Sequence, residues 1–116
     1  MTLQEIADQL GFQVRAGAGQ LSGPVGGGYA SDLLSDVMAH AGPGDLWITL
    51  QTHQNVVAVA VVKELAGIVV VNGREPDEDT IAKAEEEGVA LMTSGLSTFE
   101  LSGRLYRLGL SPSKES

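Results

Sequence analysis

The sequence predicts an α/β fold, a twisted and mostly parallel sheet with helices on both faces. Three observations carry this prediction. Short apolar runs at residues 46–50, 68–71 and 89–92 alternate with helix-like segments. The runs are almost wholly apolar, as strands covered on both faces must be. Each run also ends in small or polar residues before the next helix pattern begins. The three clusters are Gln51-Thr52-His53-Gln54-Asn55, Asn72-Gly73-Arg74-Glu75-Pro76 and Thr93-Ser94-Gly95-Leu96-Ser97. If the runs are parallel strands, all three clusters share one end of the sheet, where open α/β sheets usually bind ligands.

The elements follow in chain order. Thr2 caps a first helix that runs to about Leu10 and stops at Gly11; Leu3, Ile6, Ala7 and Leu10 form its apolar stripe. Residues 12–16 alternate as a strand does. A glycine-rich stretch follows, with Gly17, Gly19, Gly23, Gly26, Gly27 and Gly28. Ser31 is expected to cap a helix reaching about His40, with Leu33, Leu34, Val37 and Met38 buried. Residues 42–45 form a turn. The run Val56-Val57-Ala58-Val59-Ala60-Val61-Val62 is β-branched enough for a strand, but it continues unbroken into Lys63-Glu64-Leu65-Ala66 and stops at Gly67. A helix is expected there, because two parallel strands need a crossover between them. Its valine content points to burial on most sides, between the sheet and another subunit. Residues 77–88 are a helix with acidic residues in the first turn, where the dipole favours them. Residues 97–108 are the last helix, with Phe99, Leu101, Leu105 and Leu108 expected inside. One domain over residues 1–110 and a disordered tail over 111–116 complete the expectation.

Composition narrows the function. A formal charge of −8 repels phosphate backbones and anionic bilayers, so neither nucleic acid nor membrane is expected as a partner. There is no cysteine, no spanning apolar segment and no signal-peptide pattern at the start, which together fit a cytoplasmic location. The acidic residues concentrated between Glu75 and Glu87 read as a solvated helix face.

Candidate site residues lie at the strand ends and in the glycine run. Gly26, Gly27 and Gly28 before a helix can cradle a phosphate or carboxylate on their N–H groups, or form a tight turn where backbones pack closely. Tyr29 could stack on a ligand ring, and Ser31 opens the helix. Thr52 and His53 stand at a strand-to-helix turn, where a histidine can act as acid or base, ligand contact or cap. Asn72, Gly73 and Arg74 close the next strand. Arg74 can clamp a phosphate or pair with Glu75 or Asp77. Thr93 and Ser94 offer hydroxyls at the last strand end. No metal site, cofactor or catalytic residue is expected. His40 belongs to the opposite end of the sheet, and neither a Gly-Lys-Ser/Thr loop nor a Gly-x-Ser-x-Gly turn is present. Trp47 belongs to the core.

The stretch Val25-Gly26-Gly27-Gly28-Tyr29-Ala30-Ser31-Asp32-Leu33-Leu34-Ser35-Asp36-Val37 resembles the DRTGG domain. So do Gly44-Asp45-Leu46-Trp47-Ile48-Thr49, the segment from Glu64 to Gly73, and Ser97-Thr98-Phe99-Glu100 with Arg104-Leu105. The resemblance covers nearly the whole chain. It implies a three-layer α/β/α unit, similar in fold to the N-terminal domain of HPr kinase/phosphorylase but lacking the kinase P-loop. Such domains accompany nucleotide-sensing CBS pairs in pyrophosphatases and the catalytic domain of phosphotransacetylases, as dimerisation and regulatory modules. This chain departs from the pattern where relatives carry Gly-Asp-Arg, with Gln51-Thr52-His53, and where they carry Thr-Gly-Gly, with Val71-Asn72-Gly73. No ligand is therefore carried over from the relatives. The expectation is a non-catalytic regulatory or interaction module, homodimeric and acting on a partner enzyme. A sensor of an adenine nucleotide or phosphorylated metabolite is the alternative, and an enzyme using His53 is third.

Overall fold

The computed structural model describes residues 1–112. In chain order the elements are α1 (Leu3–Leu10), β1 (Gln13–Ala16), a 3-10 turn (Ala18–Gln20), β2 (Gly27–Ala30), α2 (Leu34–His40), β3 (Asp45–Thr49), α3 (Asn55–Lys63), β4 (Gly67–Val70), α4 (Glu78–Glu87), β5 (Leu91–Thr93) and α5 (Thr98–Arg107). They build the expected α/β architecture around one five-stranded sheet of order β1-β5-β4-β3-β2. β2 through β5 run parallel, and β1 runs antiparallel to β5 with a bulge between Val14 and Ala16.

Strand alternation divides the core into two layers. Leu46, Ile48, Val69 and Met92 face α1 and α5, where Leu3, Ile6, Leu101 and Leu105 meet them. Trp47, Ile68, Val70 and Leu91 face α2, α3 and α4, against Val37, Val56, Val57 and Ala84. The three crossover helices thus share one face, and α5 returns along the other.

Local chemistry explains most boundaries. Thr2 and Glu5 form a reciprocal capping box on α1, and Gly11 ends it with φ of 71°. The Ser97 hydroxyl accepts from the Glu100 N–H at the start of α5, and Gly88 ends α4 in the left-handed region. The valine run is helical, as the parallel pairing of β3 and β4 requires. It ends earlier than expected, at Glu64 with φ of 54°, because Gly67 is already the first residue of β4. Nor is the helix buried all round: Val56, Val57, Val59 and Ala60 are inside, while Val62 is 64% exposed.

The glycine run departs most from expectation. Gly27 and Gly28 lie in β2, an extended edge strand, and not in a turn before a helix. Gly26 N donates to the Gly44 carbonyl and Gly28 N to that of Ser111, so these groups are taken by backbone and cannot turn to an anion. Ser31 does not cap α2. The helix starts at Leu34, and the Ser31 hydroxyl accepts instead from Leu33 N at 3.2 Å. The expected α2 stripe is accordingly only partly inside: Val37 is buried, while Leu33 and Met38 are exposed. In α5, Leu101 and Leu105 are buried as expected, Leu108 is half-buried, and Phe99 is 90% exposed. Ser111 and Pro112 lie beside β2, Pro112 forming a parallel bridge to Gly28. The rest of the expected tail, 113–116, falls outside the described residues.

Candidate functional site

The parallel strands bring residues 50–55, 71–76 and 94–97 to one end of the sheet, as the pattern of strand ends predicts. That end is not uniform. The segments after β3 and β4 lead to helices on one face, while the segment after β5 leads to α5 on the other. Loops that part to opposite faces open a crevice between their strands. Here it lies beyond β4 and β5, with a volume of about 190 Å³. Gly73, Arg74 and Glu75 form one side, Thr93, Ser94 and Gly95 the other, and Gly11 and Gln13 close it at the β1 edge.

The two loops are latched together by backbone. Asn72 N donates to the Leu96 carbonyl at 2.8 Å, and Gly73 N to that of Ser94 at 3.0 Å. Asn72 and Gly73 both have positive φ, 64° and 71°, a pair that asparagine and glycine adopt at low cost. The Ser94 hydroxyl accepts from Leu96 N at 3.1 Å, which tightens the turn into α5. Thr93 and Ser94 are both buried, so the crevice floor is fixed while Arg74 and Glu75 stand at its exposed rim.

Arg74 pairs with neither Glu75 nor Asp77; among the described residues it forms no ion pair. Glu75 instead reaches Arg15 on β1, its Oε2 lying 2.5 Å from Arg15 Nη2. The same Nη2 donates to Gln13 Oε1 at 2.8 Å, and the buried Arg15 Nε has no partner among the described residues. Gln13 and Arg15 are not among the candidate residues the sequence points to, and Glu75 is named there only within a strand-end cluster and as a partner for Arg74. The available signal is the alternation of Gln13 and Arg15, polar residues two apart on one face of a strand.

The remaining candidates lie elsewhere. Gly27 pairs with Asp45, which puts the glycine run at the start of β2 and β3, the opposite end of the sheet. Tyr29 packs on α2, its hydroxyl donating to Asp36 Oδ2 at 2.8 Å and its ring 6.5 Å from that of His40. That bond holds the Asp36 carboxyl below its ordinary range and raises the Tyr29 hydroxyl. Ser31 is at the correct end but beside β3, not in the crevice. Thr52 ties the β3 loop to α4, its carbonyl accepting from Asp77 N and from Thr80 Oγ1 at 2.7 Å. His53 is exposed and works as a local cap: its Nδ1 accepts from Asn55 N at 3.4 Å. Asp32, also not singled out, accepts from Leu50 N at 2.7 Å and from Thr49 Oγ1, bracing the end of β3.

Among the described residues there is no cluster of three or more metal-ligating side chains, and no helix is long and apolar enough to cross a membrane. The arrangement is therefore that of an α/β domain with a small polar crevice at a strand-end divergence. Comparison with known proteins is more specific about the fold. No family model and no curated protein sequence matches the chain. A solved structure does: the CBS and DRTGG domains of the regulatory region of a Clostridium perfringens pyrophosphatase, complexed with its activator diadenosine tetraphosphate. The TM-score is 0.70 at 17% identity, covering 88% of this chain and 44% of that one. The chain thus spans under half the length of that structure, and the fold is DRTGG-like.

Proposed function

We propose that this chain is a non-catalytic regulatory module, homodimeric and acting on a partner enzyme. The observation that carries the reading is the outer side of α3. Val61 and Val62 stay exposed beside a groove of about 270 Å³ lined also by Val57, Ala58, Lys83 and Glu87. An apolar centre with a charged rim is the make-up of an interface. The DRTGG-like fold, found in the regulatory region of the pyrophosphatase, supports the same reading. Sedimentation at micromolar concentration tests it. A dimer that Val62→Asp converts to monomer is expected, and a wild-type chain that is monomeric throughout overturns the homodimer.

A second reading is favoured by the crevice beyond β4 and β5. A polar crevice whose rim arginine has no acidic partner among the described residues suits a small phosphorylated ligand. That the pyrophosphatase region binds diadenosine tetraphosphate makes adenine nucleotides the first candidates. Thermal-shift screening of nucleotides and phosphorylated metabolites tests this reading, and no shift from any of them removes it.

A further inference from the structure

We infer that the β4/β5 crevice takes the terminal phosphate of a phosphomonoester, and that Glu75 is a built-in competitor for the same cations. The inference rests on the ligand-binding reading above and specifies what is recognised and what opposes it. Volume selects the part of the ligand. Sites that enclose a whole small molecule measure about 300–1,000 Å³, whereas this crevice holds about 190 Å³. It admits a tetrahedral anion and leaves the rest of the ligand outside.

Charge selects the sign. The chain carries 15 acidic and 7 basic residues, yet Arg74 lines this crevice, and Arg15, outside the lining, is joined to it through Glu75. Glu75 pairs with Arg15 through a single guanidinium nitrogen, leaving Arg15 Nε buried without a partner among the described residues. A carboxylate that uses both edge donors of a guanidinium makes the stronger, two-pronged pair. The present pair is thus incomplete, and among the described residues Arg74 has no acidic partner. Across the crevice, Gly95 N makes no backbone hydrogen bond among the described residues, and Thr93 and Ser94 line the same side. A phosphate dianion has three acceptor oxygens for such donors. Its charge repels Glu75, so entry and release of Glu75 from Arg15 are coupled. Arg15 is then free to turn Nε and Nη2 toward the anion or toward Gln13.

Titration of inorganic phosphate, AMP and glucose 6-phosphate into ¹⁵N-labelled protein at pH 7.5 tests this, read on amide and arginine Nε–H resonances. All three probes are expected to shift Gly95 and Arg15 Nε–H. Arg74→Ala should weaken binding at least tenfold and Arg74→Lys by less, with spectra otherwise native because Arg74 is exposed. Glu75→Gln should tighten binding severalfold. If only AMP binds, the site reads the nucleoside and the phosphate assignment is overturned. Probe binding that is indifferent to both Arg74→Ala and Glu75→Gln overturns the crevice while leaving a ligand sensor standing. Binding lost in Arg74→Ala but unchanged in Glu75→Gln overturns the competitor role. Absence of binding by every probe in wild type and Glu75→Gln overturns the phosphate site, while the ligand reading stands or falls with the thermal-shift screen.

Discussion

Gly17 sits where the chain leaves β1, pressed against the segment joining α4 to β5, and Gly17→Ala should be among the most damaging single-methyl additions. Its φ is +72°, and a Cβ there would lie 2.1 Å from the Val89 carbonyl oxygen and 2.6 Å from Ala90 N. Ordinary C···O contacts are about 3.3 Å or longer, so backbone must move by roughly 1 Å. Gly11 supplies the control. Its φ is +71°, and nothing lies within 4 Å of a Cβ built on it. Both substitutions incur the left-handed penalty of about 1–2 kcal/mol, partly offset by the stiffer unfolded chain. Only Gly17→Ala adds overpacking, about 1–3 kcal/mol or more. The expected losses are therefore about 1 kcal/mol for Gly11→Ala and about 2–4 kcal/mol or more for Gly17→Ala. Urea unfolding followed by the fluorescence of Trp47, the single and fully buried tryptophan, reads the difference. At a slope of about 2 kcal/mol per molar, the midpoints should fall by about 0.5 M and by at least about 1 M. Equal falls would refute the claim that the backbone of Val89 and Ala90 forces glycine at position 17.

Two of the four candidate core positions of α5 separate in the same assay. Leu101→Ala, at a fully buried site, should lose about 2–5 kcal/mol, and Phe99→Ala, on the solvent side, about 0.5 kcal/mol or less; comparable losses would contradict the orientation of the helix. Thr2→Ala removes the hydroxyl half of the α1 capping box and should lower stability by about 1 kcal/mol, with an unchanged urea midpoint as the contrary result. Tyr29→Phe should alter the pH dependence at both ends. The lowered Asp36 group stabilises above its unfolded pKa near 4, an effect lost as pH falls through the folded value. The raised Tyr29 hydroxyl stabilises below its unfolded pKa near 10, and that effect is lost as pH rises through the folded value. Without the hydroxyl both flanks should flatten, and superimposable midpoint-against-pH curves would exclude the coupling.

The elements legible in the sequence are those whose ends are set locally. Thr2 with Glu5, Ser97 with Glu100, and the terminal glycines Gly11 and Gly88 are short-range signals, and each marks its boundary. The valine run was decided by topology: its residues suit a strand, but the parallel neighbours leave room only for a crossover. β2 was hidden for the converse reason. Gly27 and Gly28 have little strand preference of their own, and their extended backbone comes from pairing with Asp45 and Leu46, almost 20 residues away. Once β2 takes in the glycines, Ser31 is left too early to cap α2, and the α2 stripe loses Leu33 to solvent. Phe99 failed for a simpler reason: a large aromatic at a helix start reads as core unless the facing layer is known.

The candidate site shows where one-dimensional reasoning ends. Three strand ends are visible in the sequence and are alike: apolar run, polar cluster, helix. Nothing in them says which pair of loops parts and which pair runs together, because that depends on strand order and on the face each helix takes. α4 and α5 are both amphipathic, so either could pack on either face. Once α4 joins α2 and α3 and α5 crosses to α1, the symmetry among the ends is broken, and only the β4/β5 pair can open. The antiparallel β1 then adds what no strand-end motif contains. Gln13 pairs with Thr93, which sets Gln13 and Arg15 next to Glu75 across a separation of 60 residues. Arg74 was visible as a candidate cation, but its near neighbours Glu75 and Asp77 made an ion pair look sufficient. The fold sends Glu75 to Arg15 and places Asp77 at the start of α4, and so leaves Arg74 at the rim of the crevice with no acidic partner among the described residues. The charge on which the anion proposal rests is thus a property of the strand order, not of any one segment.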